Sequence, residues 1–381
     1  MSLADVAVIG VGMTRFQPYP NKSVAELARQ AGFLALDDAN LNFAQIDEAF
    51  VGYLFHGPMT GVKTMKEFGL TGLPITHVEN ASATGLTCLR EAAYAVASGR
   101  CDIAMAIGFD KMTEAAGGGK GWADRIDSVI LPNAYFSLWA QRRMYDFDTR
   151  PEHLARIAAK NWNNGSLNPL SHRQPQQKVT VEDVLASRLI ADPHTAMMSC
   201  PVDDGAACVI VARKDLAKKL KPHEPLITIK AAALQSETYS PGHTFLGPVV
   251  GPATMTRDTA NQAYEQSGIA PSDIDLALCH DAFAIEELQY YELLGFCAEG
   301  EAEQLLMDGE TEIGGRIPFN TDGGLIARGH PGGPTGLAMI HEIVLQLRGQ
   351  ADRRQVANAR TGLAHLVGGG SVCCVCILQK E

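Results

Sequence analysis

Two stretches of this chain repeat each other, and together they determine the predicted fold. ALDDANLNFAQIDEAFVGYLF (residues 35–55) aligns without gaps with AYEQSGIAPSDIDLALCHDAF (residues 263–283). Both read as the end of a helix, a short turn, an Ile-Asp pair and an apolar run typical of a buried strand. The matching or similar pairs are Ala35/Ala263, Leu41/Ile269, Ile46/Ile274, Asp47/Asp275, Ala49/Ala277 and Phe55/Phe283. Such self-similarity indicates a duplicated helix–strand unit.

A second pair of matching stretches occurs in the same order along the chain. TGLTCLREAA, which starts at Thr84, matches TGLAMIHEIV, which starts at Thr335, with a glutamate at the eighth position of each. Chance similarity is the alternative for either match alone, but the shared order argues against it. Strand-like runs at residues 6–13 and 102–110 alternate with helical patterns. We therefore expect an α/β fold with parallel sheets, built from two duplicated halves.

The repeats divide the chain into an N-terminal half, residues 1–250, and a C-terminal half, residues 251–381. A long excursion from the first half, about residues 113–195, is predicted to form a loop domain with helices of its own, and such excursions are usually functional. Within it, the glycines of AAGGGKG (residues 115–121) predict a mobile loop. Four basic residues there could contact phosphates, although solvated surface charge is the favoured interpretation: Arg142, Arg143, Lys160 and His172.

Composition and charge exclude several classes of protein. The chain has 381 residues, of which 46% are hydrophobic and 20% charged, so it is globular and large enough for two core units. A net charge of −11 argues against a nucleic-acid partner. No apolar run reaches the roughly 18 residues of a membrane span. Nine cysteines without framework spacing indicate reduced thiols and a cytoplasmic location. Cys373 and Cys376 would point to opposite faces of a strand, so no metal site is expected.

The turn Asn80-Ala81-Ser82-Ala83-Thr84-Gly85 leads from a strand-like run into a helix. Main-chain amides at a helix N-terminus favour negative charge and would convert a cysteine there to a thiolate. The residue is a serine, and its hydroxyl needs a general base before it can attack. Three interpretations of Ser82 stay open: a nucleophile, a natural or engineered substitute for a cysteine, and a simple turn or cap residue.

Two motifs in the second half of the chain are distinctive: NTDGGLIARGHPGGPTG (residues 320–336) and HDAF (residues 280–283). They resemble the Gly-His-Pro and His-Asp-Cys-Phe motifs of the thiolase superfamily, in particular of the sterol-carrier-protein type (lipid-transfer-protein-like) and acetyl-CoA acetyltransferases. Three further stretches are similar to that subfamily: GFDKM (residues 108–112), VTVEDVLASRLIADPH (residues 179–194) and HLVGGGSVCCVCIL (residues 365–378). The resemblance implies a five-layer αβαβα fold with a loop domain over the active site.

The resemblance also implies roles for the site residues. His330 would activate the nucleophile at position 82, and His280 would donate a hydrogen bond to a developing oxyanion; a loop or core role is the alternative for each. Gly369 and its neighbours, with the amide of Ser82, could form a second oxyanion hole, or simply a glycine-rich turn. Asn320 could orient a histidine or a water. His56 could point into the same cavity, with a structural role in its loop as the alternative.

Two departures from the family pattern affect the expected chemistry. Ser82 occupies the position of the nucleophilic cysteine, and Ala282 occupies that of the second cysteine, in the His-Asp-Cys-Phe motif. Other thiolases place that second cysteine near the C-terminus, where this chain has Leu366. Both thiol positions are therefore empty, which makes ordinary two-step acyl transfer doubtful, while both histidines remain.

The resemblance implies an acyltransferase of lipid metabolism that makes or breaks a C–C bond beside a CoA thioester, by Claisen or retro-Claisen chemistry. Coenzyme A would be a substrate or product, with no covalently bound cofactor. One alternative is a retro-aldolase acting on a hydroxyacyl-CoA with a separate small OB-fold, zinc-ribbon partner protein, although relatives that cleave aldols look as though they carry tyrosines in both histidine motifs. Another is a non-catalytic acyl-CoA-binding scaffold. A homodimer or tetramer is expected, with no nucleic-acid or membrane partner.

Overall fold

The computed structural model describes most of the chain. The described residues are 2–117, 132–238, 243–244, 247–248, 254–369 and 371–381. Residues 118–121 of the predicted mobile loop and Gly370 of the glycine-rich turn lie outside them.

The described part contains thirteen strands, named here in chain order. They are β1 (Val6–Met13), β2 (Glu48–Gly52), β3 (Ile75–Val78), β4 (Ile103–Lys111), β5 (Leu189–Ala191), β6 (His194–Thr195), β7 (Asp204–Arg213), β8 (Ile227–Ser236), β9 (His243–Thr244), β10 (Gly247–Pro248), β11 (Leu276–Leu278), β12 (Thr361–Gly368) and β13 (Val372–Lys380).

The helices of the same part are likewise numbered along the chain. They are α1 (Val24–Ala39), α2 (Thr60–Met65), α3 (Thr84–Ala97), α4 (Met112–Gly117), α5 (Pro132–Asp146), α6 (Pro151–Ser166), α7 (Val181–Ala186), α8 (Lys214–Leu220), α9 (Met255–Ser267), α10 (Ala284–Leu293), α11 (Ala302–Met307), α12 (Gly324–Arg328) and α13 (Thr335–Arg348). One-turn 3-10 segments lie at Leu3–Asp5, Phe43–Gln45, Ala196–Met198, Pro271–Asp273 and Asp352–Arg354.

The two halves of the main sheet have the same strand order. The first half runs β3-β2-β4-β7-β1 and the second runs β11-β12-β13-β8. Phe319 forms an isolated parallel bridge with Ala277 of β11, at the position that corresponds to β3. A short pairing of β1 with β8 joins the halves into one nine-stranded sheet. The repeated order matches the duplication that the sequence predicts.

Helices separate and cover these halves in layers. Helices α3 and α13 pack against each other and against strands of both halves, so they form the central layer. Helix α1 packs on β1 and β7 on one outside face, and α9 packs on β8 and β13 on the other. Each half of the nine-stranded sheet forms one layer, and the three helix layers lie between and outside these two half-sheets. This arrangement confirms the predicted five-layer αβαβα fold.

The prediction of parallel sheets is wrong for much of the core. Strand β1 runs antiparallel to both β7 and β8, and β4 runs antiparallel to β7. The parallel pairs are β2 with β3 and β4, and β11 with β12. A continuous apolar run reports burial on both faces of a strand, and burial alone does not fix its direction.

The division of the chain at residues 250 and 251 stays a prediction. In the sheet, β8 lies in the segment assigned to the first half, but it pairs with β13 of the second. Helices α5, α6 and α7 lie within the predicted loop domain, and α6 packs on α10 and α12 of the second half. Among the described residues, no helix has both the length and the apolar character needed to cross a bilayer.

The central helices meet through glycines at their N-terminal ends. A Cβ atom built on Gly85 would lie 2.8 Å from the oxygen of Gly333 and 2.9 Å from the nitrogen of Gly336. One built on Gly336 would collide with the backbone at Leu86. Because only glycine permits this approach, the first turns of α3 and α13 lie back to back. This contact brings residues of both halves to one place.

Candidate active site

An apolar cavity of about 320 Å³ lies at the junction of the two halves. Its wall includes Ser82, His280, His330 and Gly369, four of the six residues that the sequence nominates. Aromatic side chains form much of the remaining wall, and the rings of Phe136 and Phe283 stack with their centroids 5.0 Å apart. Such a cavity is suited to an apolar ligand with a few polar groups at one end.

Ser82 lies in a tight turn between β3 and α3. Ala81 has a left-handed backbone with φ of 47°. The amide of Asn80 donates to the Thr84 hydroxyl at 2.8 Å, and the amide of Ala83 donates to the Asn80 carbonyl at 3.0 Å. These bonds hold Ser82 one residue before the N-cap of α3, at the edge of the cavity.

The Ser82 hydroxyl is hydrogen-bonded to His330, with 3.0 Å between Oγ and Nε2. The other ring nitrogen of His330, Nδ1, lies 2.9 Å from the Thr335 hydroxyl oxygen. That hydroxyl donates its proton to the carbonyl of Pro331 at 2.6 Å, so it can only accept from His330. His330 therefore carries its proton on Nδ1, and Nε2 accepts from Ser82.

The surroundings of His330 keep its imidazole neutral. Desolvation, followed by the proximity of His280 and Arg328, lowers the pKa of His330 well below its usual range. A neutral ring with a free lone pair on Nε2 is what a general base requires. The arrangement can thus remove the proton of the Ser82 hydroxyl as that oxygen attacks.

His280 faces His330, with ring centroids 5.3 Å apart and planes at 88°. Its Nδ1 lies 2.6 Å from a carboxylate oxygen of Glu286, whose other oxygen accepts from the amide of Phe283 at 2.9 Å. The side chain of Glu286 is fully buried. The remaining nitrogen of His280, Nε2, has no hydrogen-bond partner among the described residues, although it is buried. Nε2 of His280 is therefore the ring atom that can meet a polar group of a ligand in the cavity.

Two aspartates of the motifs hold the loops that carry the histidines. Asp281 accepts from the amide of Leu325 at 2.6 Å and thereby anchors the start of α12, just before His330. Asp110, from GFDKM, accepts from the amides of Leu54 at 3.1 Å and Gly333 at 2.6 Å. These carboxylates fix the position of the loop that contains the Gly-His-Pro motif.

A second main-chain turn lies against the Ser82 turn. Gly369, with φ of 58°, lines the cavity. A Cβ atom on the preceding Gly368 would collide with the carbonyl oxygen of Asn80. The two turns are therefore in direct contact, and glycine at 368 permits this approach.

Two nominated residues do not reach the cavity. His56 lies 3.3 Å from a carboxylate oxygen of Asp110 and 3.3 Å from the amide of Lys111, beside a separate surface depression. Asn320 is fully buried and accepts from the amide of Cys279 at 3.0 Å, while its amide group donates to Glu287 at 2.8 Å. Asn320 thus contacts the segment just after β11, which carries His280, but neither histidine ring.

Two of the four basic residues in the excursion are not solvated surface charges. Arg143 is buried and pairs with Glu292 at 2.6 Å and with Glu303 at 2.8 Å. Lys160 is buried and pairs with Glu287 at 2.6 Å. Their partners lie far away in the sequence, so the local pattern of the excursion could not indicate burial.

Thr335 and Glu286 contact the histidines but were not nominated from the sequence. Thr335 lies inside the quoted motif, where a hydroxyl five residues after His330 was a usable signal. Glu286 lies three residues after Phe283, and the reciprocal bonds between them resemble a capping box at the start of α10. Within the described residues, no group of three or more His, Cys, Asp or Glu side chains is arranged to hold a metal.

The fold and the geometry describe a duplicated α/β protein with a candidate site between its two halves, and comparison with known proteins identifies the family. The profile "Thiolase, N-terminal domain" matches residues 6–215, and "Thiolase C-terminal domain-like" matches residues 249–380. The chain therefore belongs to the thiolase family.

Individual relatives agree with this assignment. An acetyl-CoA acetyltransferase of Methanothermobacter thermautotrophicus is 37% identical, and the alignment covers 96% of this chain and 97% of that protein. Sterol carrier protein 2 of Gallus gallus is 36% identical over 96% of this chain and 70% of its own length. The solved structure of the Ltp2-ChsH2(DUF35) aldolase is similar with a TM-score of 0.86 and 26% identity, over 99% of this chain and 98% of that one.

Proposed function

We propose that this protein is an acyltransferase that makes or breaks a C–C bond beside the carbonyl of a CoA thioester, with Ser82 as the acyl-carrying residue. One observation carries the proposal: the Ser82 hydroxyl is bonded at 3.0 Å to a neutral His330 whose proton is held on the far nitrogen. A turn or cap serine has no need of a base oriented in this way.

In the cleavage direction, Ser82 Oγ attacks the β-carbonyl carbon of a 3-oxoacyl-CoA while His330 Nε2 takes the hydroxyl proton. The C–C bond breaks, the acyl group stays on Ser82 as an ester, and the departing thioester forms an enolate. In this scheme Nε2 of His280 donates to the enolate oxygen, and the contact of Glu286 with Nδ1 holds the ring in place. In the same scheme, the amides of Ser82 and Gly369 donate to the oxyanion on the attacked carbonyl.

The apolar wall of the cavity supports an acyl substrate. The rings of Phe136 and Phe283 offer a surface for the acyl group, and their exclusion of water would protect an ester on Ser82 from hydrolysis. Coenzyme A enters this scheme as a substrate or product, with no covalently bound cofactor. The name of the acetyl-CoA acetyltransferase that is 37% identical supports this choice.

A retro-aldolase is the second candidate. The similar structure of the Ltp2-ChsH2(DUF35) aldolase favours it, as does serine in place of cysteine at position 82, because an aldol cleavage needs no acyl-enzyme. In that case a separate small OB-fold protein with a zinc ribbon would be the partner. A non-catalytic acyl-CoA scaffold is the least supported alternative, because it gives no reason for the orienting bonds on His330 and His280.

A homodimer, or a tetramer built from such dimers, is the proposed assembly. Strand β3 is the last strand of the first half-sheet, and its residues are half-buried or exposed. An edge strand of this kind offers unpaired main-chain groups to a second copy of the chain. The cytoplasmic location expected from the cysteine content stays a prediction.

The decisive experiment is intact-protein and peptide mass spectrometry after incubation with acetoacetyl-CoA or acetyl-CoA. We expect an acyl adduct on Ser82 that Ser82→Ala lacks, and thiolysis that is faster in Ser82→Cys because a thiolate forms more readily. A protein that cleaves 3-hydroxyacyl-CoA without an adduct is a retro-aldolase. Tight binding of CoA without either reaction would support the hypothesis of a non-catalytic acyl-CoA-binding scaffold.

A further inference from the structure

Cys200 lies directly opposite Ala282 in a short antiparallel pairing. Ser199 forms an antiparallel bridge with Phe283, and the amide of Cys200 donates to the carbonyl of Ala282 at 2.8 Å. In this register residues 200 and 282 face each other, with Cα atoms roughly 5.5 Å apart and side chains on the same face. A side chain at position 200 therefore occupies the neighbourhood of a side chain at position 282.

The same face of this pairing is turned toward the active site. Cys200 and Ala282 both line the apolar cavity, together with His280 and His330. His280 is 4% exposed, and its Nε2 has no partner among the described residues. A free thiol and an imidazole nitrogen without a partner among the described residues thus border the same cavity.

The thiol is in its protonated form. Burial, opposed by the nearby Arg173 and reinforced by three neighbouring carboxylates, raises the pKa of Cys200 to about 12. A thiol of this kind does not compete with Ser82 as the nucleophile at neutral pH. It is a proton donor, and its thiolate is a strong base.

We propose that Cys200 exchanges the proton with the α-carbon of the CoA thioester, the task that the resemblance implies for a cysteine at position 282. The inference rests on the proposed function and supplies the acid/base group that Ala282 cannot. The thiol of Cys200 lies in the loop before β7, whereas residue 282 follows β11. The antiparallel pairing nevertheless places positions 200 and 282 side by side.

The proton balance closes within the proposed cleavage. When the C–C bond breaks, its electron pair goes to the α-carbon, which takes the proton from Cys200 Sγ and leaves a thiolate. The thiol of the incoming coenzyme A gives its proton to this thiolate, and its sulfur attacks the ester on Ser82. The ester C–O bond breaks, and Ser82 Oγ recovers its proton from His330.

Deuterium exchange at the α-carbon of acetyl-CoA and propionyl-CoA in D2O, followed by NMR, tests this step without acyl transfer. We expect exchange in the wild type and in Ser82→Ala, with a rate that rises with pH as the thiolate fraction grows. Cys200→Ala should lower the exchange rate about 100-fold or more, as loss of a general base does. Cys208→Ala is the matched control, because Cys208 is buried in the core packed against α1 and does not line the cavity.

The double variant Cys200→Ala with Ala282→Cys separates chemistry from packing. A thiol returned from the opposite strand should restore at least a tenth of the exchange rate and its rise with pH. Exchange that persists in Cys200→Ala would overturn the inference alone. Cys200→Ala could also lose exchange without rescue by Ala282→Cys in the double variant. If that double variant melts like the wild type, Cys200 has a structural role and the inference is overturned. A wild type that exchanges neither thioester would overturn the proposed function as well.

Discussion

The ends of β2 and β11 are copies of one another, yet they differ in chemistry. The gapless alignment of the repeats places Gly52, at the end of β2, on His280, just after β11. A Cβ at Gly52 would lie 2.5 Å from a methyl carbon of Thr84, so the first copy is filled by helix packing. The second copy carries an imidazole whose Nε2 is unpartnered among the described residues. Duplication supplied two equivalent places, and only one holds a catalytic candidate.

The turns that precede the central helices differ in the same way. The match of Thr84 with Thr335 aligns Ser82 with Gly333. The first turn offers a hydroxyl, whereas the second offers a glycine and, three residues earlier, the candidate base His330. Each half therefore contributes a different part, and the candidate site exists only where the halves meet.

The largest expected effect is a difference in kcat between variants of His280, which follows β11, and His56, which follows β2. His280→Ala should lower kcat for C–C cleavage by about 10²–10³-fold, because it removes a donor to the developing oxyanion. His56→Ala should leave kcat within about threefold, since His56 contacts Asp110 and Lys111 outside the cavity. Steady-state kinetics on both variants check this, and equal losses would contradict the contrast between the two copies.

The glycine contact between the central helices involves both halves equally, unlike the two strand ends, so substitutions on its two sides should have similar effects on stability. Gly85→Ala and Gly336→Ala should each lower the free energy of unfolding by about 3 kcal/mol, because a Cβ meets backbone atoms that cannot move aside. Gly57→Ala is the control, since its Cβ would meet nothing within 4 Å. Denaturant melts measure all three, and a loss in only one of the helical variants would break the symmetry.

Thr335 should matter more to chemistry than to stability. Thr335→Val removes the acceptor for His330 Nδ1–H, so the proton of the ring is no longer held on Nδ1. We expect kcat to fall roughly 10-fold to 30-fold, with a smaller change in KM. Thr335→Ser keeps the hydroxyl and should stay near wild type. Kinetics with thermal melts decide the matter: a loss of stability without a loss of kcat would make Thr335 a helix residue like Thr84.

The smallest expected effect concerns the two neighbouring imidazoles. His280 is one of the groups that lower the pKa of His330, so His280→Ala should raise the pKa of His330 toward its usual range. The acid side of the pH profile of kcat/KM reports the protonation of His330 and should move upward by the same amount. NMR titration of the His330 ring measures it directly, and an unchanged value would show that burial alone sets this pKa.

The sequence predicted the duplicated fold and a site around Ser82, His280 and His330, because those features lie in local motifs and repeats. Strand direction was predicted incorrectly for β1, since its apolar run reports burial and not its partner. His56 seemed suited to the cavity by its place after β2, but long-range contacts with Asp110 and Lys111 turn it elsewhere. The pairing of Cys200 with Ala282 joins residues 82 positions apart, and nothing local to either marks it.

The back-to-back contact of Gly85 and Gly336 has a consequence for how this family can change its reactions. Main-chain atoms of the two helices touch one another there, and none of the candidate reactive side chains takes part in that contact. A sulfur can therefore be exchanged for an oxygen at one helix start without disturbing the frame around it. We expect such a framework to keep its fold when the side chain at position 82 changes, which would let the chemistry of the site change while the frame stays the same.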